Sequence, residues 1–228
     1  MTTIAVLLSR VFAHLLDSSL LKDWAVTRSP SQIATWIKSL AALFNIDRLV
    51  SLDLAWWPFE VMESLEYRFS GKRVSVFEWG SGASTIWMAK RGFQVISVEH
   101  DERWAQEVKL KSQELTILFE SIVKPPMATK SPQISSQKKG FEKLNFFDYV
   151  AEIHKYGLFD LIVIDGRARE HCLVAARTHL NKDGIILFDN SNRKRYRDEI
   201  EKGMNEIQIK GMTPASPLPT QSSILSFK

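Results

Sequence analysis

From Lys72 onward, short unbroken apolar runs alternate with stretches in which apolar residues recur every three or four positions. The runs are VSVFEW (74–79), QVISVE (94–99), LTILFE (115–120), LFDLIVID (158–165) and GIILFD (184–189). Each is rich in Val, Ile, Leu and Phe and ends on a polar residue or close to one, as strands buried on both faces of a parallel sheet do. Between them lie STIWMAKRG, ERWAQEVKLKSQE, FFDYVAEIHKYG and AREHCLVAARTHL, whose spacing predicts helices. A further helix, YRDEIEKGM, and two closing strands, EIQIKG and SSILSF, complete the chain. The pattern predicts an α/β fold, a doubly wound and mostly parallel sheet with helices on both sides.

The first 71 residues read differently. Ile4, Leu8, Val11, Leu15 and Leu16 recur at helical spacing, with Arg10, His14 and Asp17 interrupting the apolar character. A membrane span needs roughly 18 uninterrupted apolar residues, and no basic leader or small-residue cleavage pattern accompanies this stretch. A second helix opens at Ser29-Pro30-Ser31-Gln32, where Ser29 can cap, Pro30 suits the first turn and Gln32 can close a capping box; it is expected to stop near Asn45. Trp56-Trp57-Pro58-Phe59 then leads into the helical EVMESLEYRF, closed by Gly71. The expected organisation is an N-terminal helical cap over 1–71 and a ligand-binding domain over 72–228. One segment, 124–140 (KPPMATKSPQISSQKKG), is rich in Pro, Ser and Lys with no acid, and reads as a solvated surface loop.

An apolar fraction of 45% excludes wholesale disorder. The single cysteine, Cys172, excludes a disulfide framework and any cysteine-based zinc site, and suits a cytoplasmic protein. Composition says little about partners, because the four lysines of the 124–140 segment equal the whole formal excess of +4.

In open α/β sheets ligands bind beyond the carboxyl ends of the strands. The first run ends Glu78-Trp79-Gly80-Ser81-Gly82-Ala83-Ser84-Thr85. Gly80 and Gly82 permit a tight turn and a close approach of backbone to ligand. Thr85 stands where a dinucleotide fingerprint has its third glycine, and no Gly-Lys-Ser/Thr follows to make a phosphate loop. A carboxylate at Glu78 opposes a pyrophosphate and favours a cationic ligand. The second run ends at Glu99, nineteen positions after Gly80, where an acid can accept both hydroxyls of a ribose; His100 borders the same pocket.

This acid-led Gly-x-Gly arrangement resembles that of class I methyltransferases, which bind S-adenosylmethionine. From about Trp56 to the C-terminus the chain resembles a bacterial family within that class, through WWPFEVMESL, FEWGSGASTIWMAKRG, VISVEHDERW, FDLIVIDGRAREHC, GIILFDNSNRKRY and GMTPASPLPTQSSILSF. The resemblance implies a Rossmann-like seven-stranded fold and S-adenosylmethionine bound by Glu78, Gly80, Ser81, Gly82, Ser84, Glu99 and His100. The segment 124–140 departs from the family pattern, and with it the route of the acceptor.

Asp165 ends the fourth run, and Asp189 and Asn190 end the fifth. Catechol-type O-methyltransferases hold Mg²⁺ with an Asp and an Asp-Asn pair at these places, and Asp165, Asp189 and Asn190 match that pattern. Mg²⁺ would bind acceptor oxygens and lower their pKa. The alternative is a metal-free site in which Asp165, then Asp189, is the acceptor-side catalytic carboxylate. Arg167 and Arg169 either grip an anionic acceptor or make structural ion pairs. Trp56 and Trp57 either pack in the core or cover the ligands. The basic run Arg193, Lys194, Arg195 and Arg197 is followed by Asp198, Glu199 and Glu201 and reads as a solvated helix face. The expected function is S-adenosylmethionine-dependent O-methylation of a small-molecule acceptor or sugar. An RNA methyltransferase and a non-catalytic nucleoside-binding domain are the alternatives; nucleic acid is the less expected partner and no membrane is expected.

Overall fold

A computed structural model describes residues 28–42 and 45–228 of the chain. In chain order the strands are β1 (Ser75–Trp79), β2 (Gln94–Glu99), β3 (Glu120–Val123), β4 (Met127–Ala128), β5 (Leu144–Asn145), β6 (Phe159–Ile164), β7 (Leu180–Asp189), β8 (Met204–Gly211) and β9 (Thr220–Phe227). The helices are α1 (Pro30–Ser39), α2 (Ile46–Ser51), α3 (Phe59–Phe69), α4 (Ala83–Lys90), α5 (Glu102–Glu114), α6 (Phe147–Ala151), α7 (Arg169–Ala176) and α8 (Lys194–Ile200). The helix expected over 4–16 lies outside the described residues.

Seven strands form one sheet in the order β3-β2-β1-β6-β7-β9-β8, parallel from β3 to β7, with β9 antiparallel to both of its neighbours. The chain winds outward from β1 in one direction and from β6 in the other, so the strand order reverses between them. That reversal opens a crevice at their carboxyl ends.

Two-residue alternation along the central strands sorts the core into two layers. Val76, Leu161, Val163, Ile185 and Leu187 face one side, packed with Trp36, Trp57, Leu65, Ile86 and Met88. Phe77, Ile162, Ile164, Ile186 and Phe188 face the other, packed with Tyr149, Cys172, Leu173 and Tyr196. Both faces are covered, which is why these strands read as continuous apolar runs.

The N-terminal helices belong to the first layer. Ser29 and Gln32 form the expected capping box, with Pro30 in the first turn of α1. Trp36 donates from Nε1 to the Ser216 carbonyl at 3.2 Å, and Ser39 Oγ accepts the Ala215 amide at 3.1 Å. Asn45, expected as a stop, caps α2 by accepting the Arg48 amide at 2.9 Å. Arg91 ties α4 back to this region, pairing with Asp53 at 2.9 Å and Glu66 at 2.6 Å and stacking 3.8 Å from the Trp87 ring.

Two expectations are corrected. The third strand does not occupy 115–120 but begins at Glu120. Leu115 caps α5, Thr116 turns left-handed at φ 57°, and the Ile117 amide bonds back to the Ser112 carbonyl, so this apolar run ends a helix. The Lys-rich segment is also more than a solvated loop. β4 within it pairs antiparallel with β5 beyond it, and the Phe146 amide bonds the Ile134 carbonyl at 2.8 Å. Among the described residues no helix is long and apolar enough to cross a membrane.

If the helices before β1 share the sheet's core, Trp36→Ala should destabilise the whole protein by about 3–5 kcal/mol, the usual cost of deleting a buried Trp. Urea unfolding followed by tryptophan fluorescence and by far-UV circular dichroism should then shift as one transition. An unchanged midpoint would show that α1 contributes nothing to the common core.

Candidate functional site

The turns that follow β1 and β6 meet back to back. Gly80, at φ 104°, donates its amide to the Val98 carbonyl at 2.8 Å, and a Cβ on it would lie 2.7 Å from the Gly166 nitrogen. A Cβ on Gly166 would lie 1.9 Å from the Tyr149 hydroxyl. Neither turn tolerates a side chain. Trp104, from α5, donates to the Ser81 carbonyl at 2.7 Å and braces the loop from outside.

Glu78 is fully buried and does not line the crevice. Its carboxylate is enclosed by hydroxyls. Ser84 Oγ donates to it at 2.6 Å and Ser97 Oγ at 2.7 Å, and Thr85 Oγ1 completes the set. Thr85 Oγ1 in turn accepts the Gly82 amide at 2.9 Å, and Ser81 Oγ lies 2.7 Å from Ser97 Oγ. The acid thus shapes the glycine turn from beneath. Burial pushes its pKa up to about 7, opposed by the three hydroxyls, with Glu99 adding to the rise.

A cavity of about 410 Å³ lies over this turn, lined by Gly80, Ser81, Gly82, Ser84, Glu99, His100, Asp165 and Arg167. Glu99 Oε1 accepts the amides of His100 at 2.7 Å and Asp101 at 2.9 Å, and His100 Nδ1 also contacts it. Among the described residues no donor reaches Oε2. One oxygen holds the strand end in shape, and Glu99 lines the cavity as expected of it from the sequence. Asn45, Ile46, Leu49, Trp56, Asp101, Trp104 and Phe141 complete the wall. Sequence reasoning assigned no site role to Asn45, Ile46, Leu49, Asp101 or Phe141. For Asp101 a signal existed in its position two residues beyond Glu99.

A second cavity, of about 370 Å³, is lined by Trp56, Asp165, Asp189, Asn190, Thr213 and Thr220, among others. Trp56 and Asp165 belong to both cavities. The adjacent tryptophans therefore part company. Trp57 is wholly buried and donates to Asp165 Oδ2 at 3.2 Å, while Trp56 stands where the cavities meet.

Asp165 and Asp189 converge, but on a cation already in place. The buried Arg169 guanidinium pairs with Asp165 Oδ1 at 2.7 Å and Asp189 Oδ2 at 3.3 Å. It also donates to the backbone carbonyls of Asp165, Gly166 and Asp189. Ser222 Oγ holds Asp189 Oδ1 at 2.9 Å, and Asn190 takes a left-handed conformation at φ 53°. Among the described residues no group of three or more His, Cys, Asp or Glu side chains is arranged to hold a metal ion. The expected Mg²⁺ set does not fit, because Arg169 supplies the positive charge that the carboxylates would otherwise seek. Arg169 is a structural ion pair and Arg167 lines the first cavity. Burial and the neighbouring Asp189 push Asp165 well above the usual carboxylate range, against the pull of Arg169.

No protein-family model matches this chain, and no curated protein matches it. Among solved structures it is similar to a methyltransferase-like protein from Silicibacter pomeroyi, at 21% identity and a TM-score of 0.52 over 75% of this chain and 91% of that one. It is also similar to precorrin 8w decarboxylase from Methanobacterium thermoautotrophicum, at 13% identity and a TM-score of 0.50 over 74% of this chain and 90% of the other. These likenesses show the fold, the Rossmann-like one expected from the sequence.

Two outcomes follow from the buried groups. Glu78 takes up a proton more readily folded than unfolded, so the stability it contributes is present below about pH 4.5 and is lost as pH rises through about 7. Urea unfolding at stepped pH should show a wild-type decline across that window, on the order of 3 kcal/mol for a shift of this size, that Glu78→Gln removes. Equal slopes in both proteins would discard the assignment. For Asp165 and Asp189, calorimetric titration with Mg²⁺ should show no saturable site, whereas a stoichiometric heat abolished by Asp189→Asn would restore the metal.

Proposed function

We propose that the chain is a cytoplasmic S-adenosylmethionine-dependent methyltransferase that methylates an oxygen of a small-molecule acceptor or sugar. The observation that carries this reading is the pair of cavities meeting at Trp56 and Asp165, one of them built on the Gly80 turn with the free Glu99 oxygen on its wall. Gly80, Ser81, Gly82 and Ser84 bring backbone to the cofactor, Glu99 Oε2 accepts a ribose hydroxyl, and His100 flanks the nucleoside. Bound there, S-adenosylmethionine would supply an electrophilic methyl group with a neutral thioether as its leaving group.

The protein's own part is alignment, charge and proton removal. The Trp56 ring and the Asp165 carboxylate stand at the junction, where each favours a positive sulfonium. Asp165, on the wall of both cavities, would take the proton from the acceptor hydroxyl. Asp189, which lines only the second cavity, acts through Asp165, whose pKa it raises. The second cavity is small and presents Thr213, Ser216 and Thr220 among its lining residues, which fits a small hydroxylated acceptor.

S-Adenosylhomocysteine should stabilise the protein in a thermal-shift series in which NAD does not. Glu99→Gln keeps an acceptor oxygen for the turn but removes the free carboxylate oxygen, and should weaken S-adenosylhomocysteine about tenfold or more by calorimetry, the worth of a charged hydrogen bond. Stabilisation by NAD alone, or an unchanged dissociation constant in Glu99→Gln, would overturn the reading. Tight binding with no methyl transfer across a broad acceptor set would point to a nucleoside-binding domain instead.

A further inference from the structure

Four cations from three separate parts of the chain lie within reach of one another beside the first cavity: Arg167 lines it, Lys138 stands over its wall residue Phe141, and Arg193 and Arg195 are near enough to repel Lys138. Lys138 comes from the segment before β5, Arg167 from the turn after β6, and Arg193 and Arg195 from the stretch after β7. Phe141, on the cavity wall, has the Lys138 ammonium 5.7 Å from its ring centre and the Arg167 guanidinium at 5.0 Å. Partial burial, followed by repulsion from Arg167, Arg193, Arg169 and Arg195, holds Lys138 below its usual range, so the fields of the group overlap.

Of the acids expected to neutralise the run after β7, Glu201 pairs within it, on Arg197, and Glu199 turns outside it, which leaves Arg193 and Arg195 without a carboxylate at ion-pair distance among the described residues. Glu199 pairs with Arg177 at 2.6 Å and Lys202 at 2.9 Å, while Glu201 and Glu206 pair with Arg197 at 3.2 and 2.8 Å. Among the described residues no carboxylate lies within ion-pair distance of Lys138, Arg167, Arg193 or Arg195. The buried Nε atoms of Arg167 and Arg195 have no acceptor there either. Like charges held together without counter-charges are costly in a folded protein and are a common mark of an anion site.

We propose that Lys138, Arg167, Arg193 and Arg195 bind the phosphate group of a small phosphorylated acceptor whose other end lies past Asp165 in the second cavity. Placing the acceptor here rests on the methyltransferase reading, but the anion site itself does not. Lys138 and Arg167 meet over Phe141 on the cavity wall, whereas Lys124, in the same basic segment, is already paired with Glu152 at 3.1 Å. A compact anion suits this arrangement better than the repeated phosphates of a nucleic acid.

The test is calorimetry of inorganic pyrophosphate into the full-length protein, free and saturated with S-adenosylhomocysteine. Pyrophosphate should bind in both states. Lys138→Ala and Arg193→Ala, both at exposed positions, should together weaken it about tenfold or more. Lys130→Ala, in the same basic segment, should leave it unchanged, and S-adenosylhomocysteine affinity should hold in every variant. No saturable binding, equal weakening by Lys130→Ala, or competition with S-adenosylhomocysteine would overturn the proposal. A short single-stranded RNA binding far more tightly than pyrophosphate, with a steep salt dependence, would overturn the choice of a small acceptor. Loss of S-adenosylhomocysteine binding in the wild type would sink the methyltransferase reading alone, since the pyrophosphate titration of the free protein does not depend on it.

Discussion

One guanidinium organises the working end of the sheet. Arg169, at the start of α7 and 5% exposed, is bonded to the side chains and carbonyls of both Asp165 and Asp189. It therefore clamps the ends of β6 and β7 to each other and to the helix that follows β6. A buried ion network of this kind contributes little net stability, since desolvation offsets most of the attraction, but breaking it strands charge in the interior. Its effect is on geometry. With Arg169 in place, Asp165 keeps one oxygen toward Trp57 and the carboxyl end of β6 stays beside Gly80. The same clamp explains why a pattern matching a metal-binding family does not build a metal site: the charge that a divalent ion would bring is already supplied by the chain.

Against that clamp rests the turn after β1, and its shape is governed from below. Glu78 gathers hydroxyls from the start of α4 and from β2, so the acid, the glycine turn and the neighbouring strand are one hydrogen-bonded unit. The close approach of Gly80 to Gly166 then sets the width of the crevice. The acid at this position is bonded into the architecture of the turn. Glu99, unlike Glu78, does meet the cavity, with Oε1 holding the backbone amides of His100 and Asp101.

The doubly wound sheet was legible because its central strands are buried on both faces, which leaves unbroken apolar runs that few other structures need. β3 escaped that criterion for the same reason in reverse. As an edge strand its Glu120–Val123 is half exposed, and the stronger apolar run before it serves to end α5. β4 and β5, two residues each, carry no periodicity to read. At the site, Gly80, Glu99 and Asp165 were legible from their positions at strand ends. Trp56 and Trp57 were not separable, because neighbours in sequence take opposite roles only once α3 is docked. Phe141 reaches the cavity because the β4–β5 ribbon folds the segment back, a path that no local pattern encodes. Cap residues such as Asn45 line the same wall through packing that is equally remote in sequence.

The charge distribution shows the same dependence on tertiary partners. By composition the excess of +4 equals the lysines of one segment, and the run after β7 is matched by acids next to it in sequence. In the fold Glu201 pairs within the run, on Arg197, while Glu199 turns to Arg177 and Lys202, and Lys124 turns to Glu152. What remains is a positive rim made by residues from three segments, above a floor containing Glu99 and Asp165. An anion on the rim and a positive centre near the floor are favoured together, and exchanging them is penalised at both ends. A molecule with one charged end is thereby oriented as it enters, before any contact specific to its shape is made. Orientation of that kind comes from which charges are left unpaired, and neighbouring acids in the sequence do not determine it.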